Sequence, residues 1–349
     1  MTQTLDEISI ILIYSAMAVY ALAFISFALD LARRSSTVKK AVEAEQLEPV
    51  SVGAAGSAGA GAGAGGVGVS GPTGAGAGGS AAGGGLVSLA GVDAAGKRSI
   101  ALRLGVSFTL LAWVIQLAGV ILRGVAASRV PWANMYEFSI TGTLLIVAVF
   151  LVLLLRQDLR FLGTFVTGLV LILLGVSTVN YYVSISPLPP ALQSAWLVIH
   201  VLVAILGTAF FALGGALSVL QLLQTKGDSV SRIASALRLR FLQTLPDSDT
   251  LERLAYRVNI VGFVLWTFML IAGAVWAERA WGRYWGWDTK EVWTFIIWVI
   301  YAGYLHARAT LGWRGTGSAW LAVIGFSAVM FNFGIVNVFF KGLHSYSGL

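Results

Sequence analysis

Residues 195–223 read AWLVIHVLVAILGTAFFALGGALSVLQLL. The run holds no Asp, Glu, Lys or Arg, and its one ionisable side chain is His200. A helix needs about 20 mostly apolar residues to cross the hydrocarbon core of a bilayer. Inside that core the backbone must satisfy its own hydrogen bonds, which a helix does. The run therefore reads as a membrane span. The same test picks out eight segments, roughly residues 8–31, 100–122, 138–155, 161–183, 195–223, 256–277, 292–312 and 318–340. The expected fold is an all-α integral membrane protein with eight transmembrane helices.

Composition agrees. The chain is 57% hydrophobic and 11% charged, where soluble chains carry about 25% charged residues. The first apolar run is preceded by Asp6 and Glu7 and followed by Arg33 and Arg34. It is longer than the apolar core of a signal peptide and lacks a basic start, so it reads as a span. This sets out three regions: a first helix at 1–33, a cytoplasmic linker at 34–98 and a seven-helix core at 99–349. Residues 51–85 hold 16 glycines, a composition expected to form a flexible tether.

Basic residues orient the bundle. With the N-terminus outside, 17 of the 23 lysines and arginines fall on the inner side. Arg123, Arg129, Arg279, Arg283, Lys290 and Lys341 fall outside. Both termini are then expected outside. The net charge of +7 belongs to loops facing the cytoplasm and not to a nucleic-acid surface. In the loop 226–255, Ile233, Leu237, Leu239, Leu242 and Leu245 alternate with Arg232, Arg238 and Arg240. That pattern is expected to form a basic amphipathic helix on the inner leaflet.

Four of the 12 tryptophans fall between Trp281 and Trp293, in WGRYWGWDTKEVW. Tryptophan offers a flat apolar face and one N–H donor. Two readings stand for the cluster: an interfacial anchor belt, or a platform of Trp281, Trp285, Trp287, Asp288 and Trp293 for a flat aromatic ligand. Gly282 and Gly286 favour the second by opening space. Asp288 has three candidate roles: orienting a histidine, pairing with Arg283 or Lys290, or capping the next helix.

The chain has no cysteine and three histidines, His200, His306 and His344. Thiolate sites, disulfides and thiol nucleophiles are thus excluded within it. His200 and His344 fall on the outer side with the tryptophan segment. Two imidazoles could fill both axial positions of haem iron, with Arg283 or Lys290 pairing a propionate. No other metal is implied. His306 lies roughly 21 Å along the seventh span at 1.5 Å per residue, in the inner half of the bilayer. An ionisable residue there is a functional candidate.

Four stretches together resemble one family. Trp281–Trp293 resembles the tryptophan-rich "WWD" signature of haem-handling membrane proteins. Pro131, Asn134, Tyr136 and Glu137 match an outer-loop motif PxxNxYE. Pro190, Leu192, Gln193, Ser194, Trp196 and His200 match PxLQSxWLxxH, and GLHSY stands at 342–346. These are similar to the CcsA/ResC family (also called CcsB) of System II cytochrome c biogenesis, over residues from about 100 onward. The resemblance implies a cytochrome c haem lyase subunit in the bacterial plasma membrane, working with a ResB-type partner. Haem b is then both substrate and bound ligand. It moves to the outer face and is attached to the CxxCH motif of apocytochrome c. Thiol-reducing proteins act indirectly. The resemblance further implies that His200 and His344 ligate haem outside and that His306 belongs to the transmembrane path. It assigns no chemistry to Glu137.

Overall fold

The computed structural model describes residues 2–47, 99–225, 232, 242, 244–310, 312–340 and 342–344. The glycine-rich tether, most of the expected amphipathic helix and Ser345–Tyr346 lie outside the described residues. Eight long helices are present among them: α1 Thr2–Leu47, α2 Ile100–Ala127, α3 Met135–Leu154, α4 Gly163–Asn180, α5 Ala195–Gln224, α6 Ser248–Trp281, α7 Thr289–Thr310, and α8 from Thr316 to Phe339. Within α8, Asn332–Val336 is a π-helical turn.

Seven of the eight have the length and apolarity to cross a membrane. The protein is thus an all-α, multi-pass membrane protein. The exception is α7, which corresponds to the expected span 292–312. Its 22 residues reach roughly 33 Å, but Lys290, Glu291, His306 and Arg308 make it less apolar. Two boundaries also differ from expectation. Helix α1 continues through Arg34 to Leu47, where the linker was expected to begin, because Lys39, Lys40, Ala41, Glu43, Ala44 and Glu45 are good helix formers. Helix α6 starts at Ser248, not 256, capped by Asp247, whose side chain accepts the Thr250 N–H.

Helix α1 packs along α2 and α4, α5 along α6, and α8 against α5 and α7. The most buried span, α3, lies between the two groups and touches α2, α4 and α5. Polar side chains link helices where water is absent. Tyr20 of α1 donates to Gln116 of α2 at 2.8 Å, and Gln116 donates to Thr143 and the Ile140 carbonyl of α3, each at 2.8 Å. Helix α5 meets α6 closely at its glycines. A Cβ on Gly214 would stand 2.0 Å from the Asn259 side chain of α6.

Candidate functional site

The site is built at the end of the bundle where the α2–α3, α4–α5 and α6–α7 loops gather. A buried ion cluster holds that end together. Arg123 of α2 is fully buried and donates to Asp6 of α1, to Glu137 of α3 at 3.1 Å and to the Val183 carbonyl at 2.8 Å. Its guanidinium lies 5.3 and 5.7 Å from the ring centres of Tyr136 and Tyr182. Glu137 also accepts from Arg129 and from the Ala133 N–H. Two arginines face two carboxylates, so no charge is buried unpaired, a state that costs several kcal/mol. Asn134 caps α3 by accepting the Glu137 N–H at 2.9 Å, and the Pro131 carbonyl accepts the Thr141 hydroxyl. The 131–137 motif is thus held firmly beside a cleft that Trp132, Ala133, Asn134 and Met135 also line, and Glu137 gains a structural role that its sequence context left open.

This cleft is lined by residues of α3, α5, α6, α7 and α8 and of the loops beside them, among them His200, Trp276, Lys290, Asn332 and, beyond α8, His344. It holds about 980 Å³ of space between atoms, its open mouth included. A smaller cavity shares His200, Met269, Lys290, Thr294 and His344 and adds Tyr284 and Trp285. The two histidines thus stand in the wall between two cavities.

Each imidazole is already fixed through Nδ1. His200 Nδ1 is 3.0 Å from the Met269 carbonyl oxygen, an acceptor only, so this nitrogen carries the proton. His344 Nδ1 is 2.7 Å from Asp288 Oδ2, which also accepts the His344 N–H at 3.1 Å. In a neutral ring so held, Nε2 keeps its lone pair for a ligand, and an acceptor on the other nitrogen is the usual partner of a metal-binding histidine. The bond from His344 holds the Asp288 carboxyl below its ordinary value, against the opposing effect of burial. Two glycines admit these contacts. A Cβ on Gly273 would sit 2.7 Å from the His200 ring, and one on Gly342 would sit 2.3 Å from Asp288 Oδ1.

Of the three candidate roles of Asp288, the geometry supplies histidine orientation, and a backbone bond from Lys290 adds a share of capping. The start of α7 is served by Glu291, which accepts the N–H groups of Gly286 and Asp288 at 2.8 and 3.1 Å.

The tryptophans of 281–293 do not form one face. Trp281 meets the His344 ring edge-on at 4.9 Å, and Trp285 lines the smaller cavity. Trp287 is 76% exposed and holds a left-handed backbone, φ 58°. Trp293 turns inward against Phe331 at 4.4 Å. Gly282 is the left-handed cap that stops α6, and the space at Gly286 is taken by the Arg283 guanidinium. Gly286 thus leaves no ligand space, whereas the surroundings of Gly282 are open.

Lys290 reaches the cleft, whereas Arg283 is exposed and lines neither cavity. In the 190–200 motif, Ser194 caps α5, Gln193 donates to the Leu188 carbonyl, and Trp196 stacks beneath Arg279. His306 is exposed on α7 near its far end, two residues before Arg308, which pairs with Glu252.

Sequence reasoning missed Trp276. It is 1% exposed and contacts both histidines, stacked 5.7 Å from His200 and edge-on 5.4 Å from His344. A signal existed. Trp266, Met269, Gly273 and Trp276 recur at steps of three, four and three, one face of a helix. Asn332 and Asn337 were also missed.

Residues 132–344 match the family model described as "Cytochrome C assembly protein". The matched region runs from cleft residue Trp132 to His344. "Cytochrome c biogenesis protein CcsA" of Guillardia theta is 37% identical over 264 residues, covering 70% of this chain and 86% of that protein. The protein of the same name from Heterosigma akashiwo (strain NIES-293 / 8280G21-1) is 34% identical over 249 residues, 63% of this chain and 77% of that one. That from Synechococcus elongatus is 40% identical over 196 residues, 46% of this chain, and the match spans 60% of its length. With its site geometry, span pattern and these relatives in agreement, the chain belongs to the CcsA family of cytochrome c biogenesis proteins.

Proposed function

We propose that this chain binds haem b between His200 and His344 and presents it for covalent attachment to apocytochrome c, as the subunit of a membrane cytochrome c haem lyase. The observation that carries this reading is the pair of imidazoles on one cleft, each with Nδ1 engaged and Nε2 open. Neutral imidazole is a common axial ligand of haem iron. Trp276 and Trp281 pack beside the ligands, and Trp285 and Tyr284 wall the adjoining cavity.

Haem supplies the reactive vinyl groups, which take up the two thiols of a CxxCH segment as thioethers. This chain, without cysteine, contributes position: His200 and His344 hold the iron, the apolar walls keep water from the ring, and Lys290 offers a cation to a propionate. Arg283, exposed and outside both cavities, is left to meet a second propionate or the incoming polypeptide. The CxxCH histidine then replaces one of the two ligands. Thiol reduction comes from other proteins.

The transport step is assigned to His306. It lies roughly 26 Å along α7 from Thr289 and is exposed on the bundle surface. An imidazole there suits haem entering from the cytoplasmic side, with a ResB-type partner supplying the second ligand across the helix interface. The excess of basic residues on the opposite loops supports placing the cleft outside the plasma membrane.

Absorption spectroscopy of the purified protein tests the site. A bis-histidine haem spectrum is expected, lost in His200→Ala and His344→Ala and restored by added imidazole. Unchanged spectra and unchanged cytochrome c maturation in both variants would overturn the ligand assignment. Co-expression with only the partner and an apocytochrome tests the attachment role. Covalent haem on CxxCH is expected, and free haem alone would reduce the protein to a carrier.

A further inference from the structure

One corner of the cleft is polar and unused by the histidines. Lys290 Nζ donates there to Asn337 Oδ1. An ammonium has three donors, so others remain. No carboxylate lies within ion-pair distance of Lys290 among the described residues, and no Asp or Glu lines the cleft. The two acids nearest Lys290 in sequence are occupied: Glu291 accepts the Gly286 and Asp288 N–H groups, and Asp288, which lines a small pocket with Lys290 and Asn337, accepts from His344.

Facing the same space is Asn332. It is 5% exposed, and its Oδ1 has no hydrogen-bond partner among the described residues. Buried polar atoms are paired in the large majority of cases. An orphaned amide oxygen in a ligand cleft therefore points to a group that the ligand brings. Its position follows from the backbone. In a regular helix, at about 100° per residue, residue 337 would point roughly 140° away from 332. The π turn Asn332–Val336 closes i→i+5 bonds and so returns residue 337 over 332. Both amides consequently line one cleft. Asn337 Nδ2 is tied to the Phe333 carbonyl at 2.9 Å, which leaves its oxygen to hold Lys290. The Asn332 amide turns either end inward by a half rotation, so it can present its NH₂.

A cation with spare donors beside an amide that can turn its NH₂ inward makes a receptor for a carboxylate, the neighbouring acids Asp288 and Glu291 being held by other partners. We propose that Lys290, positioned by Asn337, and Asn332 bind one propionate of the haem and so fix the orientation of the ring. This rests on the haem reading above and adds to it a specificity for the acid edge. Because the ring is rigid, holding a propionate also sets where the vinyl groups point.

The test compares haem b with its dimethyl ester, in which both propionates are neutral, by Soret titration of the purified chain. The wild type is expected to bind the acid at least about tenfold more tightly, as for a hydrogen bond to a charged group. Lys290→Met and Asn332→Leu are expected to lose most of that preference while keeping the bis-histidine spectrum. Asn332→Asp is expected to weaken binding of the acid and spare the ester. Equal binding of acid and ester by the wild type, with a spectrum that still depends on His200 and His344, would overturn the receptor alone. Full preference retained in Lys290→Met would do the same. A spectrum independent of both histidines would overturn the haem reading, and the receptor with it.

Discussion

Removing the carboxylate of Asp288 probes how the second imidazole is held. Asp288 Oδ2 accepts two bonds from one residue, His344 Nδ1–H at 2.7 Å and His344 N–H at 3.1 Å, and its side chain is only 7% exposed. Asp288→Ala removes both bonds, leaving the His344 ring free in tautomer and rotation. Partners of this kind are worth about 10–100-fold in metal affinity, or ~1.4–2.8 kcal/mol. Two bonds to one buried carboxylate place the alanine variant near the upper figure. Asp288→Asn keeps an acceptor of the same shape without the charge. Charge-assisted bonds are roughly twice as strong as neutral ones, so asparagine should lose about half the free energy, roughly tenfold in affinity. The assay is haem titration in detergent at the Soret band, with thermal unfolding as the check on the fold and His344→Ala as the floor. Wild-type affinity in Asp288→Ala, alongside clear loss in His344→Ala, would refute the reasoning. Wild-type affinity in Asp288→Asn alone would assign the residue to capping, for which asparagine serves equally well.

Three further outcomes follow from the geometry. Glu137→Ala leaves Arg123 buried with one carboxylate fewer, and it should destabilise the protein by about 3–5 kcal/mol in detergent unfolding; an unchanged midpoint would mean the cluster is not coupled to folding. Gly273→Ala drives a Cβ into the His200 ring and should shift the haem spectrum, whereas Gly303→Ala, where a Cβ meets nothing within 4 Å, should not. Asp247→Ala should cost about 1 kcal/mol at neutral pH by uncapping α6. Hydrogen bonds from Thr250 hold the Asp247 carboxyl below its ordinary value, so its contribution is present above the unfolded value, about 3.9. That contribution is lost as pH falls through the lower folded value, and the gap between wild type and variant should close in acid.

The bundle was legible because burial in lipid imposes a simple rule on every span. The eight apolar segments correspond to eight helices, and the boundaries that moved lie where lipid stops dictating sequence. Residues 34–47 are polar and helical, and 248–255 are polar and helical, so hydropathy ended too early at both. The histidines were legible because they are three in a chain without cysteine. The tryptophan segment was legible only as two alternatives, anchor or platform, because spacing along a loop does not say where its side chains point: Trp281 meets His344, Trp285 and Trp287 meet each other edge-on, and Trp293 turns inward on Phe331. Trp276 escaped notice because a tryptophan inside an apolar helix carries no contrast with its neighbours. Asn332 and Asn337 are brought together by a π turn that has no sequence period of its own.

Trp287 has a consequence for selection. A large side chain at φ 58° bears a backbone strain of about 1–2 kcal/mol, and its ring is left mostly in solvent or at the lipid boundary. Glycine or asparagine would relax that backbone. A library at position 287 sorted only for heat resistance should therefore drift to those residues. The same library sorted for mature cytochrome should hold tryptophan if the exposed ring contributes to the work. The divergence between the two sorted pools would measure that contribution directly, one position at a time.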